Sequence, residues 1–376
     1  MRTAIVSDLH IGSASGEDLL RDRGMRRLLF GEIAGADRVV LLGDVVEMRD
    51  LPLTEALAAA RPFFEELGEA VPGASVVLVP GNHDHRLAEP LLDDLAIAGR
   101  PLGLEQRAAP AGPAATLAAW LGRARLEVAY PGLWLREDVY AMHGHYVDCH
   151  LDLPRLECLA AAAVMRSVGA PPDPATPKDY ERVLRPIYGL TYGVAQSGAG
   201  RQVSSGGRPA ERAWKWMAGD GRRLSAGRLA AKTALPAAVW AINRALGSSF
   251  DADLSAEAIS RGSVAGGAEL ARRLGVGSAH VIVGHTHRPG PSRGDWRIDG
   301  GGRLHNTGNW VFTAVLHRPG APPGPYWPGT VTWLEDEEPP RRVRLLAGRD
   351  PAELGRIAHG GRLRLTSLAA ELETSP

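Results

Sequence analysis

The stretches 3–8 (TAIVSD), 38–44 (RVVLLGD) and 75–82 (SVVLVPGN) indicate the fold, because in each an apolar run ends abruptly in small and polar residues. Short runs rich in Val, Ile and Leu are typical of strands that are buried on both faces. Their terminal Asp and Asn residues are 36 and 38 positions apart, and helix-like stretches at about 17–33 and 54–67 lie between them. This spacing predicts βαβ units and a largely parallel sheet.

The composition narrows the class of protein. The 376 residues contain 43 Lys+Arg and 43 Asp+Glu, and this zero net charge argues against a nucleic-acid partner. The two cysteines, Cys149 and Cys158, are too few for a zinc finger and are typical of a reducing compartment. We find neither a targeting segment nor an apolar run of spanning length, and therefore expect a cytoplasmic protein.

The second half of the chain divides into two kinds of sequence. Strands are predicted at 139–142 and 280–283, each running into histidine, and an antiparallel meander is predicted from strands at 308–316, 329–333 and 342–346. Between them the chain is rich in Ala, Arg and Gly, with helix-like pieces near 154–168, 178–188 and 228–246. We therefore expect a core formed by residues 1–149 and 280–376, interrupted by a mostly helical cap at 150–279, called the insertion below.

Five fragments that follow the predicted strands carry the chemistry. They are Asp8-Leu9-His10, Gly43-Asp44-Val45-Val46-Glu47, Gly81-Asn82-His83-Asp84, His143-Gly144-His145 and Gly284-His285-Thr286-His287. Residues i and i+2 point the same way in extended backbone, so Asp8 with His10, and His285 with His287, are each expected to converge. Carboxylates, imidazoles and an amide oxygen without thiolate favour Mn, Fe or Zn, and seven such groups suit two ions.

The order D-x-H, G-D-x-x-E, G-N-H-D, H-G-H, G-H-T-H resembles the calcineurin-like metallophosphoesterase superfamily, over about residues 1–149 and 280–315. The resemblance implies an α/β fold, a four-layer αββα sandwich with mixed sheets. It also implies two divalent metal ions, with manganese as our first expectation and iron or zinc as alternatives.

The resemblance further assigns roles to individual residues. One metal would be held by Asp8, His10 and His287, and the other by Asn82, His143 and His285, with Asp44 bridging the two. His83 would contact the phosphate and protonate the leaving oxygen. Glu47 would orient His83, at a position where many relatives have Asp.

The implied activity is hydrolysis of a phosphoester or pyrophosphate bond by a hydroxide that bridges the metals. The substrate is expected to be a phosphorylated small molecule or a lipid-linked one. The helical insertion is similar to that of bacterial UDP-2,3-diacylglucosamine pyrophosphohydrolases, but their substrate is not carried over to this chain. Two alternatives remain open at this point. One is a cyclic-nucleotide or other phosphodiesterase or a nuclease, and the other is a non-enzymatic scaffold.

Residues around the motifs supply further candidates. Arg86, His145 and Arg288 are candidate substrate contacts, although a solvated loop position for His145 is an equal alternative. From 201 to 244 the chain has nine basic and two acidic residues, a net charge of +7, interleaved with Trp214 and Trp216. This stretch is expected either to attract an anionic substrate or to bind an anionic membrane surface, which would make the protein peripheral to the membrane. The alternative is a solvated basic face.

Overall fold

A computed structural model describes residues 1–197, 226–253, 255–291, 296–317, 323–358 and 360. The strands are β1 (Arg2–Val6), β2 (Arg38–Leu41), β3 (Ser75–Leu78), β4 (Glu105–Ala108), β5 (Arg125–Arg136), β6 (Val139–Met142), β7 (His280–Val283), β8 (Arg303–Asn306), β9 (Thr330–Glu335) and β10 (Arg341–Arg344). The helices are α1 (Arg23–Ile33), α2 (Leu53–Ala70), α3 (Glu89–Ile97), α4 (Pro113–Trp120), α5 (Leu156–Val168), α6 (Pro177–Gln196), α7 (Ala226–Leu246) and α8 (Ala256–Arg273).

The strands form one mixed sheet in the order β10-β9-β1-β2-β3-β5-β6-β7-β8. Strand β4 lies outside this order and pairs antiparallel with β5. Strands β1, β2 and β3 are parallel, as the βαβ spacing predicts. The long strand β5 pairs in parallel with β3 through residues 125–128 and antiparallel with β6 through residues 132–136. It therefore belongs to both halves of the sheet and carries the chain from one half to the other.

Alternate residues of each strand face opposite sides, and this places the core in layers. Val39 and Leu41 pack with side chains of α1, α2 and α4. Val40, on the opposite face of β2, packs with Ala141 and Ile282 of the other half of the sheet. Tyr140 in turn packs with side chains of α6 and α8. The sequence of helices, sheet, sheet and helices is the predicted α/β sandwich of four layers, and that prediction is confirmed.

The insertion is helical where the structure describes it, and the stretches predicted near 154–168, 178–188 and 228–246 correspond to α5, α6 and α7. A capping box between Thr176 and Asp179 begins α6. Trp214, Trp216 and the basic residues between 201 and 225 lie outside the described residues. None of the helices that the structure describes is long and apolar enough to span a membrane.

The prediction of a strand at 308–316 is wrong. The strand that follows β7 is β8, which ends before this segment and is parallel to β7. Gly308 has a φ of 83°, and the side chain of Asn309 accepts a hydrogen bond from the Val311 amide (2.9 Å) and donates one to the His287 carbonyl (2.7 Å). Because these bonds compete with a strand ladder, the segment forms a loop that ends in a short 3-10 helix at Ala314–Leu316. The last strands are therefore no three-stranded meander: β9 pairs antiparallel with β1 and β10.

Strands β4, β5 and β8 and helices α3, α4 and α8 had no counterpart in the sequence prediction. The β5 sequence RLEVAYPGLWLR contains a carboxylate, proline and glycine, which interrupt the apolar pattern of a buried strand. Its middle residues are nevertheless buried, because both halves of the sheet and β4 enclose them.

Candidate metal centre

Five of the predicted ligands occupy left-handed backbone. Six non-glycine residues in the described part of the chain have positive φ, and five of them are Asp8 (54°), His10 (46°), Asp44 (52°), His285 (62°) and His287 (58°). Each such residue costs about 1–3 kcal/mol, and such conformations cluster at functional sites. The ligands therefore lie on tight turns at the strand ends rather than on the extended backbone that the i, i+2 argument assumes.

The first group of candidate ligands contains Asp8, His10 and His287. Their candidate ligand atoms all lie within 4.8 Å of one another. Nε2 of His287 lies 3.2 Å from a carboxylate oxygen of Asp8 and 3.1 Å from Nε2 of His10. Two imidazole nitrogens face each other here, an arrangement that requires a proton or a cation between them.

The second group contains Asp44, His143 and His285, again with ligand atoms within 4.8 Å. The amide oxygen of Asn82 lies 3.1 Å from Nδ1 of His285, 3.3 Å from Nε2 of His143 and 3.2 Å from Oδ2 of Asp44. These three neighbours are hydrogen-bond acceptors, so without a cation the side-chain amide of Asn82 would turn its NH₂ group toward them. With the oxygen inward, four lone-pair donors converge as the ligands of a cation do.

Asp44 connects the two groups. Its Oδ2 lies 3.2 Å from Nε2 of His143 in the second group and 3.7 Å from Nε2 of His10 in the first. His285 and His287, which the spacing argument brings to one point, lie in different groups. A left-handed residue at each of these positions turns the chain, so the two side chains diverge.

His83 contacts Glu47, and with His10 and Asp44 it forms a third group whose candidate ligand atoms lie within 4.8 Å of one another. Its Nδ1 is 2.7 Å from Oε2 of Glu47, and the same oxygen is 3.0 Å from Nδ1 of His10. The His83 amide donates to Asp44 (2.8 Å). The His83 side chain is 17% exposed whereas Glu47 is fully buried, so the imidazole reaches the open side of the site.

The charges of the site are strongly coupled. Burial alone would lower the pKa of His10 and His143, but Glu47 and Asp44 outweigh it and raise these pKa values to about 9 and about 10. Burial would raise the pKa of Asp44, yet the imidazoles of His143 and His83 hold it well below its ordinary value. The buried carboxylates therefore remain ionised and attract positive charge, which divalent cations can supply.

The donor set fits the implied metals. Carboxylate oxygens, imidazole nitrogens and one amide oxygen suit Mn, Fe or Zn, and the free Cys149 and Cys158 belong to neither group of ligands.

Two aspartates that support the site were not predicted as functional. Asp84 accepts hydrogen bonds from the amides of Gly81 (2.6 Å) and Val45 (2.8 Å), which joins the loops after β2 and β3. Asp148 lies 2.9 Å from Nε2 of His285, on the side of the ring that faces away from Asn82. The G-N-H-D motif contains Asp84, so the sequence held a signal that this residue is functional. Asp148 lies 137 residues from His285, and no motif marks it.

The three candidate substrate contacts lie in different surroundings. Arg86 is 5.7 Å from the ring centre of Tyr192 in α6, and Arg288 is 5.6 Å from that of Trp296. His145 is fully buried, which excludes a solvated loop position, and its ring lies 5.6 Å from that of His143. Burial, together with the neighbouring His143, holds the pKa of His145 well below its ordinary value, so this ring is neutral.

A second buried polar group adjoins the site, and we call it the Glu181 cluster. It consists of Glu181 on α6, Tyr130, Tyr146, His85 and Glu89. Glu181 accepts hydrogen bonds from the hydroxyls of Tyr130 (2.5 Å) and Tyr146 (2.6 Å), and its other oxygen lies 3.1 Å from Nε2 of His85. Nδ1 of His85 faces Glu89 at 3.2 Å. The cluster fastens the insertion to the segment that follows Asn82 and His83.

Comparison with known proteins agrees with this geometry. Residues 1–175 match the family model of calcineurin-like phosphoesterases. No curated protein matches the chain. The match covers slightly less than half of the 376 residues, and it supports the calcineurin-like phosphoesterase superfamily, and with it a phosphoesterase, a class of hydrolase. The family implies a dinuclear centre of divalent metals, and the two ligand groups around Asp44 are candidates for it.

Proposed function

We propose that this protein is a dimetal-dependent hydrolase that cleaves a phosphoester or pyrophosphate bond in a small or lipid-linked substrate. The observation that carries the proposal is the convergence of two ligand groups on the carboxylate of Asp44. Manganese is our first choice of metal, with iron or zinc as alternatives. When bound, two such cations neutralise phosphoryl charge and lower the pKa of a bound water.

In this proposal Asp8, His10 and His287 hold one ion, Asn82, His143 and His285 hold the other, and Asp44 contacts both. His83 acts as the general acid. Because its Nδ1 is engaged by Glu47, the proton that it transfers is held at Nε2, on the exposed side of the ring. Glu47 fixes the orientation of the ring, which keeps this proton directed at the leaving oxygen.

The first test measures cleavage of bis-p-nitrophenyl phosphate and p-nitrophenyl phosphate with Mn²⁺ and with a chelator. We expect manganese-dependent cleavage that is abolished in Asp44→Ala. A protein that cleaves neither ester and retains no stoichiometric metal would be a binding scaffold instead.

The second test separates the acid from the ligands. His83→Ala should retain both metals by elemental analysis and lower turnover by roughly 10²–10⁴, the usual range for acid–base catalysis. Loss of metal in this variant would contradict the role of His83.

We also propose that the insertion, residues 150–279, binds lipid-linked substrate or an anionic membrane surface. Seven large hydrophobic side chains are strongly exposed in the described part of the chain, and five of them lie in the insertion: Leu156, Val168, Leu190, Val194 and Trp240. The net charge of +7 between 201 and 244 lies in the same region. Exposed apolar side chains in a part of the sequence that also has an excess of basic residues are typical of interfacial binding.

Cosedimentation with phosphatidylglycerol and phosphatidylcholine vesicles tests this second proposal. We expect binding to the anionic vesicles, weakened when Leu190 and Trp240, which are 69% and 67% exposed, are both changed to Ser. Ile97→Ser is the matched control, because Ile97 is 87% exposed but lies outside the insertion. Equal binding of all variants would contradict the role of the insertion.

A further inference from the structure

Arg49 lies at the open side of the candidate metal centre, five residues after Asp44. Its amide donates to Oε1 of Glu47 (3.0 Å), and its Nη1 lies 3.4 Å from Nε2 of His83. The arginine side chain is 11% exposed, so its charge is largely shielded from water. These two contacts place the guanidinium beside Nε2 of His83.

The protonation state of His83 determines whether its Nε2 accepts a hydrogen bond from Arg49. Nδ1 of His83 donates to Glu47, so in the neutral ring Nε2 carries a lone pair that accepts from Arg49. When Nε2 carries the proton that it transfers, the two N–H groups face the same space. An anionic oxygen placed between them would accept from both, and this is the arrangement that a phosphate recognises.

Arg49 is also connected to the insertion. Its Nη2 lies 3.5 Å from Oε1 of Glu157 on α5, and the Glu157 side chain is 22% exposed. A contact of this length is a weak ion pair that an incoming anion can replace. Glu157 therefore holds the guanidinium near His83 without neutralising it through close bidentate contact.

The guanidinium lies between a candidate metal ligand and His83. Its Nη1 is 3.0 Å from the side-chain amide nitrogen of Asn82 and 3.4 Å from Nε2 of His83, the ring nitrogen that faces away from Glu47. In the proposed function, on which this inference rests, that nitrogen protonates the leaving group. We propose that Arg49 binds a second phosphate on the leaving group, and that the enzyme prefers pyrophosphate diesters to simple phosphate diesters.

Diadenosine diphosphate and bis-p-nitrophenyl phosphate form the test pair. In the first, the oxygen of water bonds to one phosphorus and the bond from that phosphorus to the bridging oxygen breaks. The bridging oxygen leaves on the second phosphate with the proton from His83, so two AMP molecules form. The activated p-nitrophenolate of the second substrate leaves without such help and carries no phosphate.

We expect Arg49→Met to lower kcat/KM for diadenosine diphosphate by roughly 10²-fold, as when one donor to developing charge is removed, and to lower cleavage of the aryl diester by a clearly smaller factor. Arg49→Lys should give an intermediate value, because a point charge lacks the bidentate geometry. Arg61→Met on α2 is the matched control, since Arg61 is an exposed arginine paired with Glu65.

Titration calorimetry with AMP gives a readout that is independent of turnover. Arg49→Met should weaken AMP binding to the manganese-loaded protein, and Glu157→Gln should strengthen it by freeing the guanidinium. Equal AMP affinity in wild type and Arg49→Met, equal losses on both substrates, or a wild type that cleaves only the aryl diester would each overturn the inference. Failure to cleave either substrate would instead contradict the proposed function, while the AMP measurement would still decide the role of Arg49.

Discussion

The candidate metal centre and the Glu181 cluster are both buried and polar, and the single imidazole of His145 separates them. The His145 ring is 5.6 Å from that of His143 on one side, and its Nε2 is 3.2 Å from the Tyr130 hydroxyl on the other. In the Glu181 cluster each acceptor oxygen of Glu181 meets a donor. In the metal centre lone pairs face lone pairs, as between Asn82 and Asp44.

This difference indicates that the buried polar groups of the Glu181 cluster have a structural role, whereas those of the candidate metal centre have a functional one. A buried polar group that is fully paired within the chain fixes one arrangement of the elements that carry it. Where hydrogen-bond acceptors converge and no N–H or O–H group faces them, something outside the chain must complete the site. Here the converging oxygen and nitrogen atoms are the ligands that divalent cations prefer. Variants on the two sides of His145 should therefore fail in different ways.

The largest effect is expected at the metal centre. Asp44→Asn should reduce hydrolysis of bis-p-nitrophenyl phosphate by roughly 10³-fold or more, because the neutral amide no longer supplies charge to both groups of ligands. Bound manganese, measured by elemental analysis, should fall as well. Asp94→Asn, at an exposed position of α3, is the control and should behave as wild type. An Asp44→Asn protein with two tightly bound ions would contradict the bridging position.

The second prediction concerns the Glu181 cluster. Glu181→Gln should lower the free energy of unfolding by about 3 kcal/mol, since it leaves the buried His85 with one carboxylate partner instead of two. Urea unfolding of the metal-free protein measures the change. Lys178→Gln on the exposed side of α6 should have no comparable effect. If Glu181→Gln removed metal but left stability unchanged, the distinction between the two regions would be wrong.

Asp148 provides an intermediate case, because it touches a ligand without belonging to either group. Asp148→Asn should weaken the affinity for one of the two ions by roughly 10- to 100-fold, the usual consequence of losing the carboxylate that orients a ligand histidine. Competition with a fluorescent chelator measures both affinities. Asp152→Asn, four residues further and exposed, is the matched control. Equal weakening of both ions would contradict a specific contact with His285.

The smallest expected effect is a pH dependence of stability in the Glu181 cluster. Burial would lower the pKa of His85, but Glu181 and Glu89 outweigh it and raise this pKa to about 9. A raised histidine pKa stabilises the folded state fully below the unfolded value of about 6.5, and this contribution is lost as pH rises through 9. The difference in unfolding free energy between wild type and His85→Gln should therefore shrink by about 2 kcal/mol between pH 7 and 10.

Measuring this difference in the metal-free protein isolates His85 from the other histidines, since the imidazoles of the metal centre are present in both proteins. A difference that is constant with pH would show that His85 is not charged in the fold. A difference that grows with pH would contradict the sign of the effect.

The sequence predicted the site better than it predicted its surroundings. Asp8, Asp44 and Asn82 follow apolar runs directly, so their place at the strand ends could be inferred from a few neighbouring residues. Glu181 lies 96 residues from His85, in a helix whose spacing shows only an amphipathic pattern. Arg49 was equally hidden, because its contact with Glu157 joins positions 108 residues apart in a chain that is rich in arginine. The strand expected at 308–316 failed because Asn309 bonds to the backbone around it.

The sequence by itself determined the parallel strand ends and the chemical types of the candidate ligands, because these follow from short apolar runs and from the residues next to them. Only the tertiary structure decided the directions of His285 and His287, which the spacing argument had brought to one point, and showed that α6 brings Glu181 to His85. The reason is physical. The direction of a side chain on a left-handed turn depends on the hydrogen bonds that hold that turn, and those come from strands distant in sequence.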